Sequence, residues 1–162
     1  QSVMPNIIEL TPEGHSILLA TKEHAQELTK GLREMDRLEC FAIGSDPSQA
    51  VESSMAQSDM SFTVMTKDDK VMAIFGAGRC DELFDEPFIW MLGTNQVDRY
   101  SKDFLKHSRK WVGALAGSYG SVSNWIHVDN LVCLKWLKWC GAEFSEPMSI
   151  KGELFRKFKI TK

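Results

Sequence analysis

The residues of this sequence best suited to moving a proton near neutral pH are Asp36, Glu39, His127 and Asp129. His127 has the most favourable chemistry, because an unperturbed imidazole titrates near pH 6.5 and the residue lies in an apolar, strand-like run from Val122 to Val128. The reading we favour over that is a histidine that is simply packed and hydrogen-bonded. Asp36 and Glu39 stand three residues apart in a stretch of helix formers, hence on one helical face. Such a pair binds an amine, or makes surface ion pairs with Arg33 and Arg37. The acidic run Asp81, Glu82, Asp85 and Glu86 reads as a solvated loop, with metal or amine binding as the other reading.

Metal and disulfide chemistry have no comparable pattern. The cysteines, Cys40, Cys80, Cys133 and Cys140, show no CxxC spacing, and the histidines, His15, His24, His107 and His127, fall in four separate segments. We therefore expect neither a structural metal nor a disulfide framework. A net charge of −3 gives no general attraction to nucleic acid. No apolar stretch reaches the roughly 18 residues that span a bilayer. These features lead us to expect a reducing, cytosolic compartment.

The elements that must carry these residues follow from pattern. The length of 162 residues and a 43% hydrophobic composition suit one domain over residues 1–162. Asn6 to Leu10 reads as a strand, with Thr11 capping a following helix and Pro12 at its first position. Ser16 to about Phe41 reads as two or three helical pieces, and Asp46 with Pro47 starts another helix to about Gln57. Ser61–Thr66 and Val71–Cys80 read as strands joined by the polar turn Lys67–Lys70, and Pro87–Gly93 as a third member of that meander. Ser101 caps a long helix ended by Gly117 and Gly120. Val122–Val128 is a strand, and Asn130 caps a helix that runs through Trp139 and stops at Gly141. Glu143–Ile150 and Leu154–Thr161 close the chain as a strand pair around Lys151 and Gly152.

The segment from Val128, Asp129 and Asn130 to Gly141, Ala142, Glu143 and Phe144 resembles the strand-to-helix signature of the GNAT superfamily of acyl-CoA-dependent N-acyltransferases. Asn130, Cys133, Trp136, Leu137, Gly141 and Ala142 fall at the corresponding spacings. The resemblance implies an α/β (α+β) fold, with a central mixed, mostly antiparallel sheet of about six or seven strands and helices on both faces. It also implies acetyl-CoA as cofactor, in a slot where two strands splay apart, with Ile89–Gly93 on one side and Trp125–Asp129 on the other. Met91, Leu92, Gly93, Thr94, Arg99, Ser101 and Asn130 are the cofactor-binding candidates it marks, with main-chain amides near Leu92 polarising the thioester carbonyl. His127, Glu39 and Asp36 are the candidates for the base acting on an amine substrate.

More narrowly, the chain resembles acetyltransferase-like internal virion or head-assembly proteins of short-tailed bacteriophages. The strings that carry this are Leu32–Cys40, Trp90–Thr94, Asn124–Asn130 and Leu137–Phe144. Two departures from the enzyme pattern stand out. Gly93 to Ser101 lacks the glycines that let backbone N–H groups approach a diphosphate and adds Asp98, which Arg99 and Lys102 offset. Leu137 falls where many relatives place a proton-donating Tyr, leaving Cys140 and Tyr119 as substitutes. Two functions follow: an N-acyltransferase with a degenerate cofactor loop, or a catalytically silent assembly protein whose partners are other phage proteins. Either is expected in the cytoplasm of an infected bacterial host or within the virion.

Overall fold

The computed structural model describes residues 7–42, 44–79 and 86–161. The chain opens with two short strands, β1 (Ile7–Leu10) and β2 (Ser16–Leu19), paired antiparallel. Thr11 and Pro12 start no helix. The Thr11 hydroxyl accepts from the His15 N–H at 3.1 Å, and the Thr11 carbonyl from the Gly14 N–H at 2.9 Å. The capping chemistry thus closes a turn, and Ser16–Leu19 is a strand where helix was expected.

Three helices follow. Thr21 and His24 form a reciprocal capping box at the start of α1 (Lys22–Lys30), satisfying N–H groups that a helix start leaves open. Next come α2 (Glu34–Ala42) and α3 (Pro47–Gln57), which has the expected Asp46 cap and proline at its first turn. The meander is β3 (Met60–Met65), β4 (Val71–Gly78) and β5 (Phe88–Gly93). A single turn, α4 (Gln96–Arg99), unanticipated from sequence, precedes the long α5 (Ser101–Tyr119). Ser101 is the first residue of α5 and not its cap. That position belongs to Tyr100, whose side chain makes no capping bond.

The remaining elements are β6 (Ser121–His127), α6 (Leu131–Trp139), β7 (Glu143–Phe144), β8 (Met148–Ile150) and β9 (Glu153–Thr161). Lys151 and Gly152, with φ of 49° and 80°, make the tight turn between β8 and β9, a geometry matched to strand twist. Among the described residues the sheet has nine strands, ordered β1-β2-β3-β4-β5-β6-β9-β7 with β8 also on β9. The excess over six or seven is β2 and the division of the closing pair into three strands.

Strand alternation sends apolar side chains to both faces. On one face Ile74 and Trp90 meet Leu28 of α1 and Val51 of α3. On the other, Phe75, Ile89, Ile126 and Phe158 meet Phe104, Val112 and Leu115 of α5 and Trp136 and Leu137 of α6. Gly76 is what lets Trp90 lie flat against β4: a Cβ there would stand 2.6 Å from the Met60 carbonyl oxygen and 2.8 Å from the Trp90 ring nitrogen. Gly76→Ala should therefore lower the unfolding free energy by about 1–3 kcal/mol, the usual cost of overpacking, read as a lower urea midpoint at unchanged slope.

Candidate functional site

Among the described residues every strand pair in the sheet is antiparallel except β5 and β6, which run parallel and meet at one pair, Phe88 with Ser123. Beyond that pair they diverge. In an antiparallel ladder alternate residues turn their N–H and C=O groups away from the partner strand. Thr94 donates its N–H to Met72 on the β4 side, whereas Gly93 turns both groups the other way, toward Asp36 and Arg33. By the same alternation Met91 and Ile89 also face the widening gap.

Two of the exposed groups in the gap are satisfied by side chains. Asn124 donates its amide to the Ile89 carbonyl at 2.7 Å and accepts from the Trp125 N–H at 2.7 Å, spanning the point where ladder pairing stops. Asp36 accepts the Gly93 N–H at 2.9 Å. Between them the Met91 N–H and C=O face a cavity of about 150 Å³ lined by Glu39, Asn124, Trp125, Cys133 and Leu137. Ser45, Ala50, Ser54, Trp90 and Asn124 are shared with a wider cleft of about 480 Å³ along α3.

Helix α2 closes the inner end of this cavity. The Arg33 N–H donates to the Gly93 carbonyl at 2.9 Å, fixing the start of α2 against the end of β5. That places Asp36, which is 3% exposed, on the Gly93 N–H and Glu39 one turn further along. The Asn130 amide donates to the Glu39 carboxylate, and its oxygen accepts the Cys133 N–H as the cap of α6. Burial pushes Glu39 up to about 8, against the Asn130 bond and with help from the nearby Asp36 charge. Burial likewise raises Asp36 to about 6, opposed by the Gly93 N–H and by Arg33. A carboxyl that titrates near 8 exchanges protons at physiological pH.

The structure thus brings together Asp36, Glu39, Met91, Leu92, Gly93 and Asn130 from the sequence-derived set. His127 lies outside the cavity lining. Its ring is 1% exposed, accepts the Asp129 N–H at Nδ1 (3.0 Å) and donates from Nε2 to Glu153 (2.7 Å). Its carbonyl accepts the Asn130 N–H at 3.1 Å, so it holds the turn that presents Asn130. Asp129 is exposed, 3.9 Å from the His127 ring. Tyr119 bonds Asp59, and neither it nor Cys140 lines the cavity.

The opposite side of the slot is Asn124 and Trp125 and not Trp125–Asp129. Sequence reasoning missed Asn124 and Arg33. A polar residue inside an apolar strand was the available signal for Asn124. Cys133, also in the lining, is pushed up to about 12 by burial and takes an Arg33 contact at 3.9 Å. The acidic residues Asp81, Glu82 and Asp85 and the thiol Cys80 lie outside the described residues. Among those described, Cys40, Cys133 and Cys140 are free thiols, and no group of three His, Cys, Asp or Glu side chains is placed to hold a metal ion.

No protein-family model and no curated protein matches this sequence. Solved structures do match the fold. A GCN5-related N-acetyltransferase from Kribbella flavida superposes with a TM-score of 0.66 at 11% identity, over 94% of this chain and 100% of that one. The ribosomal-protein-S5-alanine acetyltransferase from Vibrio fischeri gives 0.63 at 10% identity, over 96% of each chain. An aminoglycoside acetyltransferase in complex with coenzyme A gives 0.62 at 14% identity, over 92% of this chain and 95% of that one. The chain has the GNAT fold.

The residues present fit the acyl end of an acyl-CoA, whereas the segment 96–100 offers a diphosphate no free backbone N–H. The Met91 N–H faces the cavity and is free of the β4 ladder. By contrast, the N–H groups of Gln96, Val97, Asp98, Arg99 and Tyr100 are all donated within their own segment, to the Thr94 hydroxyl or to the carbonyls of Thr94, Asn95 and Gln96. Thr94 is buried, its hydroxyl donated toward the Val71 and Met72 carbonyls. A Cβ on Gly93 would meet Val97 at 2.8 Å, so that glycine admits α4 rather than a phosphate. Arg99 is exposed beside the Tyr100 ring, at 5.2 Å.

The raised Glu39 has a consequence for stability. An unfolded chain ionises this carboxyl above its usual value of 4.5, while the folded chain resists until about 8. Its contribution is therefore fully present below pH 4.5 and is lost as pH rises to 8. Glu39→Gln should melt progressively higher than the parent across that window, with the difference levelling off above pH 8 in calorimetric scans.

Proposed function

We propose that this chain is an N-acyltransferase that takes the acyl end of acetyl-CoA into the gap between β5 and β6. One observation carries the reading: the Met91 N–H, left over where the sheet splays, faces the same cavity as Glu39, a carboxyl poised near neutrality. Acetyl-CoA supplies the activated acyl carbonyl. The Met91 N–H, with Leu92 beside it, polarises a carbonyl oxygen, a role in which one well-placed donor is worth about 3 kcal/mol. Glu39 accepts the proton of the attacking amine, and Asn130 holds its carboxylate in place. Asp36 keeps Gly93 and the end of β5 in position. His127 acts through Asn130, and Arg99, Ser101 and Lys102 offer charge and hydroxyl groups at the outer end of the slot.

A second reading has its own support. Asp36 on the Gly93 N–H, Asn124 on the Ile89 carbonyl and the internally bonded segment 96–100 fill places where a cofactor would bond. That occupancy favours a catalytically silent protein, and the sequence resemblance would make it an assembly protein of a short-tailed bacteriophage, working among other phage proteins in the host cytoplasm or the virion. Folds commonly outlive their chemistry.

Calorimetric titration with acetyl-CoA and CoA separates the two. The acyltransferase reading expects micromolar binding, weakened by Arg99→Glu or Lys102→Glu. It also expects a kcat/KM toward a primary amine that rises with an inflection near pH 8, and a loss of about 100-fold or more in Glu39→Gln. Absence of binding at millimolar ligand leaves the assembly reading.

A further inference from the structure

Helix α6 has the sequence LVCLKWLKW, apolar everywhere but Lys135 and Lys138. A helix apolar on all sides is normally covered on all sides, yet the described residues cover α6 on one. Cys133, Trp136 and Leu137 face the core, while Leu131, Val132 and Trp139 stand 67%, 45% and 53% exposed. The exposed positions, 131, 132, 135, 138 and 139, form one stripe along the helix. Beside it runs a groove of about 510 Å³ walled by Leu131, Val132, Leu134 and Phe144, and every charged side chain lining it is basic: Lys135, Lys138 and Arg156. The Arg109 guanidinium, 4.7 Å from the Trp139 ring, extends the basic border on a chain whose net charge is −3.

We propose that this groove docks an acidic, amphipathic helical segment of a partner protein. The segment's apolar face covers Leu131, Val132, Leu134 and Phe144, and its carboxylates meet Lys135, Lys138 and Arg156. Charge decides against a second copy, since a two-fold contact through this face brings two basic faces together. Shape decides against a bilayer, because the apolar surface is a groove between α6 and Phe144, whereas a helix lying on a membrane presents a convex face. Helix-in-groove docking lays the apolar face of an amphipathic helix into a hydrophobic groove, and Leu131, Val132, Leu134 and Phe144 supply that groove.

The test uses the full chain and two synthetic fluorescent helices about four turns long. Both have leucine along one face, bordered by glutamate in one and by lysine in the other. Fluorescence anisotropy should show the glutamate helix binding and weakening as salt rises. Leu131→Asp should cost about tenfold or more in affinity, and the double variant Lys135→Glu/Lys138→Glu should exchange preference to the lysine helix. All these positions are exposed, so unchanged melting separates lost docking from lost folding. Equal binding of the two helices, or binding of neither, overturns the proposal. So does binding to phosphatidylserine vesicles in place of the glutamate helix, or a dimer in sedimentation that Leu131→Asp dissolves.

Discussion

One constraint organises this molecule: two neighbouring parallel strands, β5 and β6, are allowed a single residue pair. A sheet that opens in its middle leaves backbone N–H and C=O groups without ladder partners, and such groups are expensive when buried. The surrounding residues read as answers to that cost. Asn124 spans the opening where pairing stops, Asp36 takes the Gly93 N–H, and the Arg33 backbone closes on the Gly93 carbonyl. The position of α2 follows, because Arg33 and Asp36 tie its first turn to the end of β5.

Those same answers bring charge into a dry place. Asp36 and Glu39 are raised because burial disfavours their ionised forms, and the compensation is one backbone N–H, one amide and the nearby Arg33. Removing a partner would leave a buried acceptor unsatisfied, which costs more than the bond itself contributes. His127 supports this arrangement from behind. With Nδ1 accepting from Asp129 and Nε2 donating to Glu153, its ring holds the turn from which Asn130 reaches Glu39. The base that looked most attractive by type is thus tied up at both nitrogens, and the carboxyl that looked like half of a surface ion pair faces the cavity.

Why some of this was legible in the sequence and some not has physical causes. The caps at Asp46 and Asn130, the hairpin at Lys67–Lys70 and the helical period from Phe104 to Tyr119 depend on neighbours in the chain, so local pattern found them. The order of strands and helices, together with the signature from Val128 to Phe144, pointed to the fold. Thr11 and Pro12 misled because a threonine oxygen closes a turn as readily as it caps a helix, and the four apolar-rich residues Ser16–Leu19 are too short for period to decide. Glu39, Asn124 and Met91 meet only in three dimensions. Strand divergence leaves no mark on sequence beyond an asparagine in an apolar strand.

The segment between β5 and α5 bears most directly on chemistry. In an anion-binding loop the backbone N–H groups wait for a ligand, and the open loop is stabilised when it arrives. Here the chain turns once as α4, each N–H from Gln96 to Tyr100 finds a partner within the segment, and Val97 packs against Gly93. That segment is complete without a cofactor. Any diphosphate would meet the start of α5, where the first N–H groups of a helix have no intrahelical partner and no side chain caps them, together with exposed side chains such as Arg99 and Lys102, whose charges are screened by salt. The inner cavity lacks that completeness, since the Met91 N–H faces it free of the ladder. On the proposed reading, that free N–H is what a reacting carbonyl would need, while the segment 96–100 already satisfies its own N–H groups.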